Sequence, residues 1–133
     1  MISNHLQHCI LGISEVDSDH IRLLHELRDL IDLVRNEQPY EEAVTAIKRN
    51  MRNHFEREDE LMKKIKYPFI AAHKRDHANL LDLIDKFSSQ VRIGNSLAYA
   101  TMVVENIFAD HIVNFDRQYA DFMRHNYHKS HDE

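Results

Sequence analysis

The chain has 133 residues, 43% hydrophobic and 29% charged, which suits one soluble globular domain with a real core and not a disordered segment. A formal charge of -5 argues against nucleic-acid binding, which needs a clustered excess of Lys and Arg. No apolar run approaches the roughly 20 residues of a membrane-spanning helix. Only two Gly and two Pro occur, so a few long helices are expected in place of a turn-rich β architecture. The lone Cys9 excludes an internal disulfide and any cysteine-based zinc or iron–sulfur site. The N-terminus has neither the basic start nor the apolar length of a secretion signal, and a cytoplasmic location is expected. The unusual count is eleven histidines.

Residues 1–16 read as an N-terminal arm, with Ile10, Leu11, Ile13 and Val16 available to pack across a bundle. A first helix is predicted from about Asp17 to Glu37, with Ser18 as a capping candidate and Pro39 ending it. A second runs from about Tyr40 to Lys64 or Ile65. "KYPF" breaks the chain, and Pro68 suits the first turn of a third helix that reaches about Arg92. Gly94 closes that helix, and Asn95 or Ser96 caps a fourth that starts near Leu97 and runs past Asp116. After Met123 the apolar periodicity is lost, so residues 124–133 are expected to fray as a tail or linker. The expected architecture is all-α: an antiparallel up-down-up-down four-helix bundle over residues 17–123, preceded by the arm, in a single domain.

Each predicted helix has an apolar seam with steps of three and four. The first seam is His20, Leu24, Leu27, Ile31 and Val34, and the second is Ile47, Met51, His54, Glu58, Leu61 and Ile65. The third is Ile70, His73, His77, Leu80, Ile84, Phe87 and Val91, and the fourth is Leu97, Ala100, Val104, Ile107 and His111. Such steps mark the inward face of helices packed at shallow angles. Every seam carries a histidine. In an alternating bundle His20, His54, Glu58, His73, His77 and His111 fall at the same end, so they form one layer.

A single buried histidine is more often a satisfied structural residue than a ligand. Glu58 alone belongs to the acidic run "EREDE", whose Glu56, Asp59 and Glu60 are expected to face water. Five histidines and a carboxylate in one core layer are different, because unpaired buried polar groups and buried charge are costly. A bound metal relieves both costs, since imidazole lone pairs and carboxylates become its ligands. The donor types suit iron, zinc, copper or nickel without choosing among them. Five histidines exceed the four ligands of a single zinc site and suggest two ions that share carboxylates. Glu58 is one candidate bridge. Asp116 is the other; at about 100° per helical residue it points roughly 140° away from His111.

The motifs "VDSDH", "HFERE" followed by "YP", "HKRDH" and "HIVNFD" together resemble those of the hemerythrin family, and of bacterial hemerythrins in particular, from about Val16 to Asp116. The resemblance implies a non-haem di-iron centre. His73, His77 and His111 would hold one iron and His20 and His54 the other, with Glu58, Asp116 and an oxo or hydroxo group bridging them. It also implies reversible dioxygen binding at an open position on the two-histidine iron. Two departures stand near that position. Ile107 occupies the place of a tryptophan usual in bacterial members, and Ala109 that of a pocket leucine. With Phe55 and Ile112 these residues are expected to line the oxygen pocket, which the two smaller side chains would enlarge, speeding oxidation of the oxygen-bound form.

Dioxygen binding as a carrier, or as the oxygen- or redox-sensing domain of a signalling protein with a fused or partner output domain, is therefore the function implied. No catalytic residue is expected: a Glu-x-x-His motif of the ferritin-like type is missing from the chain, and two carboxylates offer little for oxygen–oxygen cleavage. The alternative is a di-iron enzyme acting on nitric oxide or peroxide, or an iron donor in repair. The remaining histidines (His5, His8, His25, His125, His128 and His131) are expected at the surface, and Cys9 as a packed small hydrophobe.

Overall fold

The computed structural model describes residues 10–87, 98, 101–102 and 108–131, with residues 127–131 described by backbone alone. Among these residues the protein is all-α, built of four helices without strands. Helix α1 spans Ser14–Arg35, α2 spans Glu41–Lys64 and α3 spans Ile70–Asp85. Helix α4 comprises Ala109–His111, a π-helical turn at Ile112–Asp116 and a further stretch, Arg117–His131. Cys9, Val91, the proposed caps from Gly94 to Ser96, and Ile107 lie outside the described residues, as does the rest of the fourth seam before His111.

Side-chain pairs show that neighbouring helices run antiparallel. Asp19 meets Arg57 and Glu26 meets Asn50, so α2 descends as α1 ascends. Glu58 lies by His77 and Lys48 by Asp85 across α2 and α3. Asp76 meets His111 and His73 meets Asp116 across α3 and α4. Helix α4 returns along α1, pairing Asp116 with His20 and Arg124 with the Leu11 carbonyl. This ring of contacts is the up-down-up-down order that short connections require.

Several boundaries differ from expectation. Helix α1 begins three residues before Asp17, with Ile13 at its N-cap. Ser18 therefore lies within the helix. Asp17 instead accepts the backbone N–H groups of Leu11, at 2.7 Å, and Gly12, at 3.1 Å, from within the first turn. Gly12 supplies the positive φ of 89° that folds the arm there, and a side chain at that position would crowd Arg124.

Both α1 and α2 end in Schellman motifs without glycine. Gln38 N–H bonds to Leu33 C=O and Glu37 N–H to Val34 C=O; Tyr67 N–H bonds to Met62 C=O and Lys66 N–H to Lys63 C=O. Glu37 and Lys66 take the left-handed conformation, with φ of 54° and 58°. Pro39 and Pro68 follow these motifs directly. Pro68 thus lies two residues before Ile70, outside the first turn of α3 where it was expected. The stretch after Met123 is helical to His131, because nothing in "RHNYHKSH" breaks a helix once α4 has been established.

The main core joins Leu23, Leu24, Leu27 and Leu30 of α1 to Ile47, Met51 and Phe55 of α2 and Leu80 and Ile84 of α3. A smaller cluster of Met62, Tyr67 and Tyr119 sits at the other end. On α2 the buried positions pass from Phe55 through Glu58 to Met62. The polar layer is thus sealed between two apolar ones. No helix among the described residues is long and apolar enough to cross a membrane.

Candidate metal centre

The seven residues singled out by pattern and resemblance, His20, His54, Glu58, His73, His77, His111 and Asp116, converge in one buried layer, none more than 4% exposed. Helix α1 brings His20 from its second turn, α2 brings His54 and Glu58 on one face, and α3 brings His73 and His77 on one face. Between His111 and Asp116 the i→i+5 hydrogen bonding of the π turn, such as Arg117 N–H to Ile112 C=O, adds a residue to the turn. Five residues then make about one full turn, and Asp116 Oδ1 comes within 3.0 Å of His111 Nε2. The roughly 140° offset of a regular α-helix does not apply, because the helix is not regular there.

Two groups of donor atoms emerge, each with its ligand atoms within 4.8 Å of one another. One comprises His73, His77, His111, Glu58 and Asp116; the other comprises His20, His54, Glu58 and Asp116. The two carboxylates belong to both groups. Asp116 Oδ1 lies 2.8 Å from His73 Nε2, and its Oδ2 lies 2.9 Å from His20 Nε2. Glu58 Oε1 lies 2.9 Å from His54 Nε2 and 3.3 Å from His77 Nε2.

These contacts are close but are not hydrogen bonds. The Nε2 atoms of His54, His73, His77 and His111, Glu58 Oε1 and both Asp116 oxygens are buried without hydrogen-bond partners. Lone pairs facing a shared interior point are costly in a sealed layer, yet they are the arrangement a cation requires. The donor set therefore fits metal ions, and its asymmetry fits two: one subsite has five protein donors and the other four.

The charges respond accordingly. Burial disfavours charge on His54, but the Glu58 carboxylate and the bond to Asp19 outweigh it and raise the imidazole to about 9. Burial likewise opposes charge on His111, and Asp116 and Asp76 prevail, raising it to about 10. His77 is governed by burial, which lowers it. Burial and the proximity of Asp116 would raise Glu58, but the surrounding imidazoles hold it down to about 2. Asp116 is kept well below the carboxylate range against its burial, chiefly by His111. Without metal, protons take over part of the neutralisation that a cation would provide.

Residues around the layer hold it in place. His54 Nδ1 donates to Asp19 Oδ2 at 3.0 Å, and Asp19 is gripped by Arg57 through two bonds of 2.9 Å and by Arg22 at 3.1 Å. His111 Nδ1 donates to Asp76 Oδ2 at 2.5 Å. Tyr119 donates to Glu58 Oε2 at 2.5 Å, and its phenol is pushed upward by burial and by that carboxylate, so it stays protonated. Asp59 turns halfway inward, with Oδ1 3.3 Å from His77 Nδ1, where full exposure was expected. Sequence reasoning missed Asp19, Asp76 and Tyr119 as partners of the layer. Asp19 and Asp76 each stand directly before a seam histidine, and Tyr119 stands eight residues after His111; that adjacency is the signal available.

Phe55 stacks on His77 with ring centroids 3.9 Å apart and lies 5.7 Å from His54. Ala109 and Ile112 are buried on α4 beside His111. His25 and His125 are exposed, as expected. His5, His8 and the side chains of His128 and His131 lie outside the described residues.

Comparison with known proteins agrees with this geometry. The family model for the hemerythrin HHE cation binding domain matches residues 11–123. A bacteriohemerythrin from Stenotrophomonas maltophilia is 30% identical over 115 residues, covering 84% of this chain and 74% of the relative. No solved structure matches the chain. With its helical bundle and its buried histidine–carboxylate layer, the chain belongs to the hemerythrin family.

Proposed function

We propose that this protein binds two iron ions and, through them, dioxygen reversibly. The observation that carries the reading is the unequal donor set: two carboxylates shared between a three-histidine and a two-histidine subsite. His73, His77 and His111 would hold one iron and His20 and His54 the other, with Glu58 and Asp116 available to both. The pair supplies the electrons that reversible dioxygen binding requires. The four-donor subsite would leave an ion more positions for an external ligand.

The chain's own residues prepare that position. Asp19 fixes the His54 ring with its Nε2 turned inward. Tyr119 holds the outer oxygen of Glu58, leaving Oε1 to the metals. Phe55 stacks its apolar face on His77, and Ala109 and Ile112 lie buried beside His111. The family membership and the printed name of the bacterial relative support the same reading. The protein then serves as an oxygen carrier or as the oxygen-sensing domain of a signalling protein, in the cytoplasm and without catalytic turnover.

The test is iron reconstitution followed by anaerobic reduction and exposure to air. Two irons per chain and a visible charge-transfer band that disappears on deoxygenation are expected. The small Ala109 side chain makes the oxygen-bound protein short-lived, and Ala109→Leu lengthens its lifetime; a wild-type lifetime of many hours counts against an open pocket. Irreversible oxidation with consumption of nitric oxide or peroxide would establish an enzyme instead.

A further inference from the structure

The two subsites differ in donor count and also in what stands behind their imidazoles. Behind His111, Asp76 accepts the Nδ1 hydrogen bond at 2.5 Å, and its side chain is 26% exposed. Among the described residues no Lys or Arg pairs with Asp76. Behind His54, Asp19 accepts the equivalent bond at 3.0 Å and is bound by two guanidinium groups, those of Arg57 and Arg22. Behind His77, Asp59 lies 3.3 Å from Nδ1 without forming a hydrogen bond.

An anionic acceptor on the outer N–H of a ligating imidazole raises the basicity of its inner nitrogen. The effect grows with the net charge of the acceptor and the shortness of the bond. Asp76 meets both conditions, with a short bond and no compensating cation among the described residues. Asp19 meets neither, because its charge is shared among three donors, two of them cationic. Both carboxylates orient an imidazole, and only one delivers its full charge.

We infer that Asp76 is a positioning residue that makes the three-histidine subsite the more electron-rich of the two, so that iron there favours its higher oxidation state. Asp19, neutralised by Arg57 and Arg22, orients His54 with little charge donation. The placement follows from α3: Asp76 precedes His77 by one residue and follows His73 by three, which turns it toward α4 and His111. The inference rests on the di-iron reading above.

The experiment uses the iron-loaded full chain, with the midpoint potential read from visible spectra at an electrode under anaerobic conditions. Iron retention against a chelator is measured in parallel. Asp76→Asn keeps the shape and removes the charge; it is expected to raise the potential and to lose iron at least about tenfold more readily. Asp76→Glu restores both. Asp19→Asn gives the smaller rise, and Arg57→Gln, which uncovers Asp19, lowers the potential. Cooperative thermal melts of the metal-free variants show that each still folds and separate the effect from misfolding. Equal shifts for Asp76→Asn and Asp19→Asn, or no shift for Asp76→Asn, overturn the assignment. If wild-type protein takes up no iron, the di-iron reading itself fails. If it holds two irons while the variant potentials coincide, only the role of Asp76 is lost.

Discussion

Tyr119 has no exposed surface, and its phenol donates to a carboxylate that also has none. Replacing it with Phe removes the donor and leaves Glu58 Oε2 without its partner in an apolar setting. The expected cost is about 1–3 kcal/mol, since a buried acceptor loses its bond and water cannot replace it. Chemical denaturation of the metal-free protein measures the loss. A Tyr119→Phe variant as stable as wild type would mean that Glu58 finds another donor. Asp19 and Asp76 are constrained in the same way: each receives the outer N–H of an imidazole whose inner nitrogen faces the shared layer. At this scale the histidines themselves were legible as seam residues. Their hydrogen-bond partners were not, because spacing along one helix says nothing about which side chain of a neighbour comes within 3 Å.

Each helix reads as a chain of local decisions, and the ends are where the sequence was least clear. Neither α1 nor α2 stops at a glycine; each is closed by a charged residue held at positive φ, Glu37 and Lys66. An L-residue there costs roughly 1 kcal/mol relative to glycine, because its Cβ crowds the backbone. Lys66→Gly is therefore expected to stabilise the protein by up to about 1 kcal/mol, partly offset by the added freedom of the unfolded chain. A rise of a few degrees in the thermal midpoint would show it. A fall would mean that the Lys66 side chain makes a contact worth more than the strain. The packing of Tyr67 against Met62 explains why the motif survives without glycine: the residue after the turn is anchored in the smaller core. The π turn of α4 is the other irregularity. Nothing in "HIVNFD" marks an extra residue per turn, and only the position of Asp116 beneath His111 reveals it.

Over the whole molecule, protons and metal compete for one layer. In the metal-free state His54 is raised to about 9 and His111 to about 10, above the value near 6.5 of an unfolded histidine. A raised imidazole contributes stability that is complete below about 6.5 and is lost as pH climbs through its folded value. His77, which is lowered, is already neutral over that range and leaves the sign unchanged. Chelated protein is thus expected to melt at progressively lower temperatures from about pH 6.5 to 10. Iron-loaded protein should hold its melting temperature, because the metal replaces the protons. Parallel melting curves with and without chelator, showing the same slope, would count against a shared site. Acidification should act in the opposite sense and release metal as the imidazoles protonate.

The sequence by itself determined the all-α class, the described seam positions of α1, α2 and α3, and the five histidines and Glu58 of the polar layer. These follow from periodicity, which is local: a residue's face is set by its position on its own helix, and two glycines and two prolines left little room for another architecture. The tertiary structure alone decided how Asp116 reaches the layer, which carboxylates stand behind His54 and His111, and which of those carboxylates is paired with arginines. The reason is physical. The bond from His111 to Asp76 and the reach of Arg57 from α2 to Asp19 depend on distances between helices, and those are set only when the bundle closes.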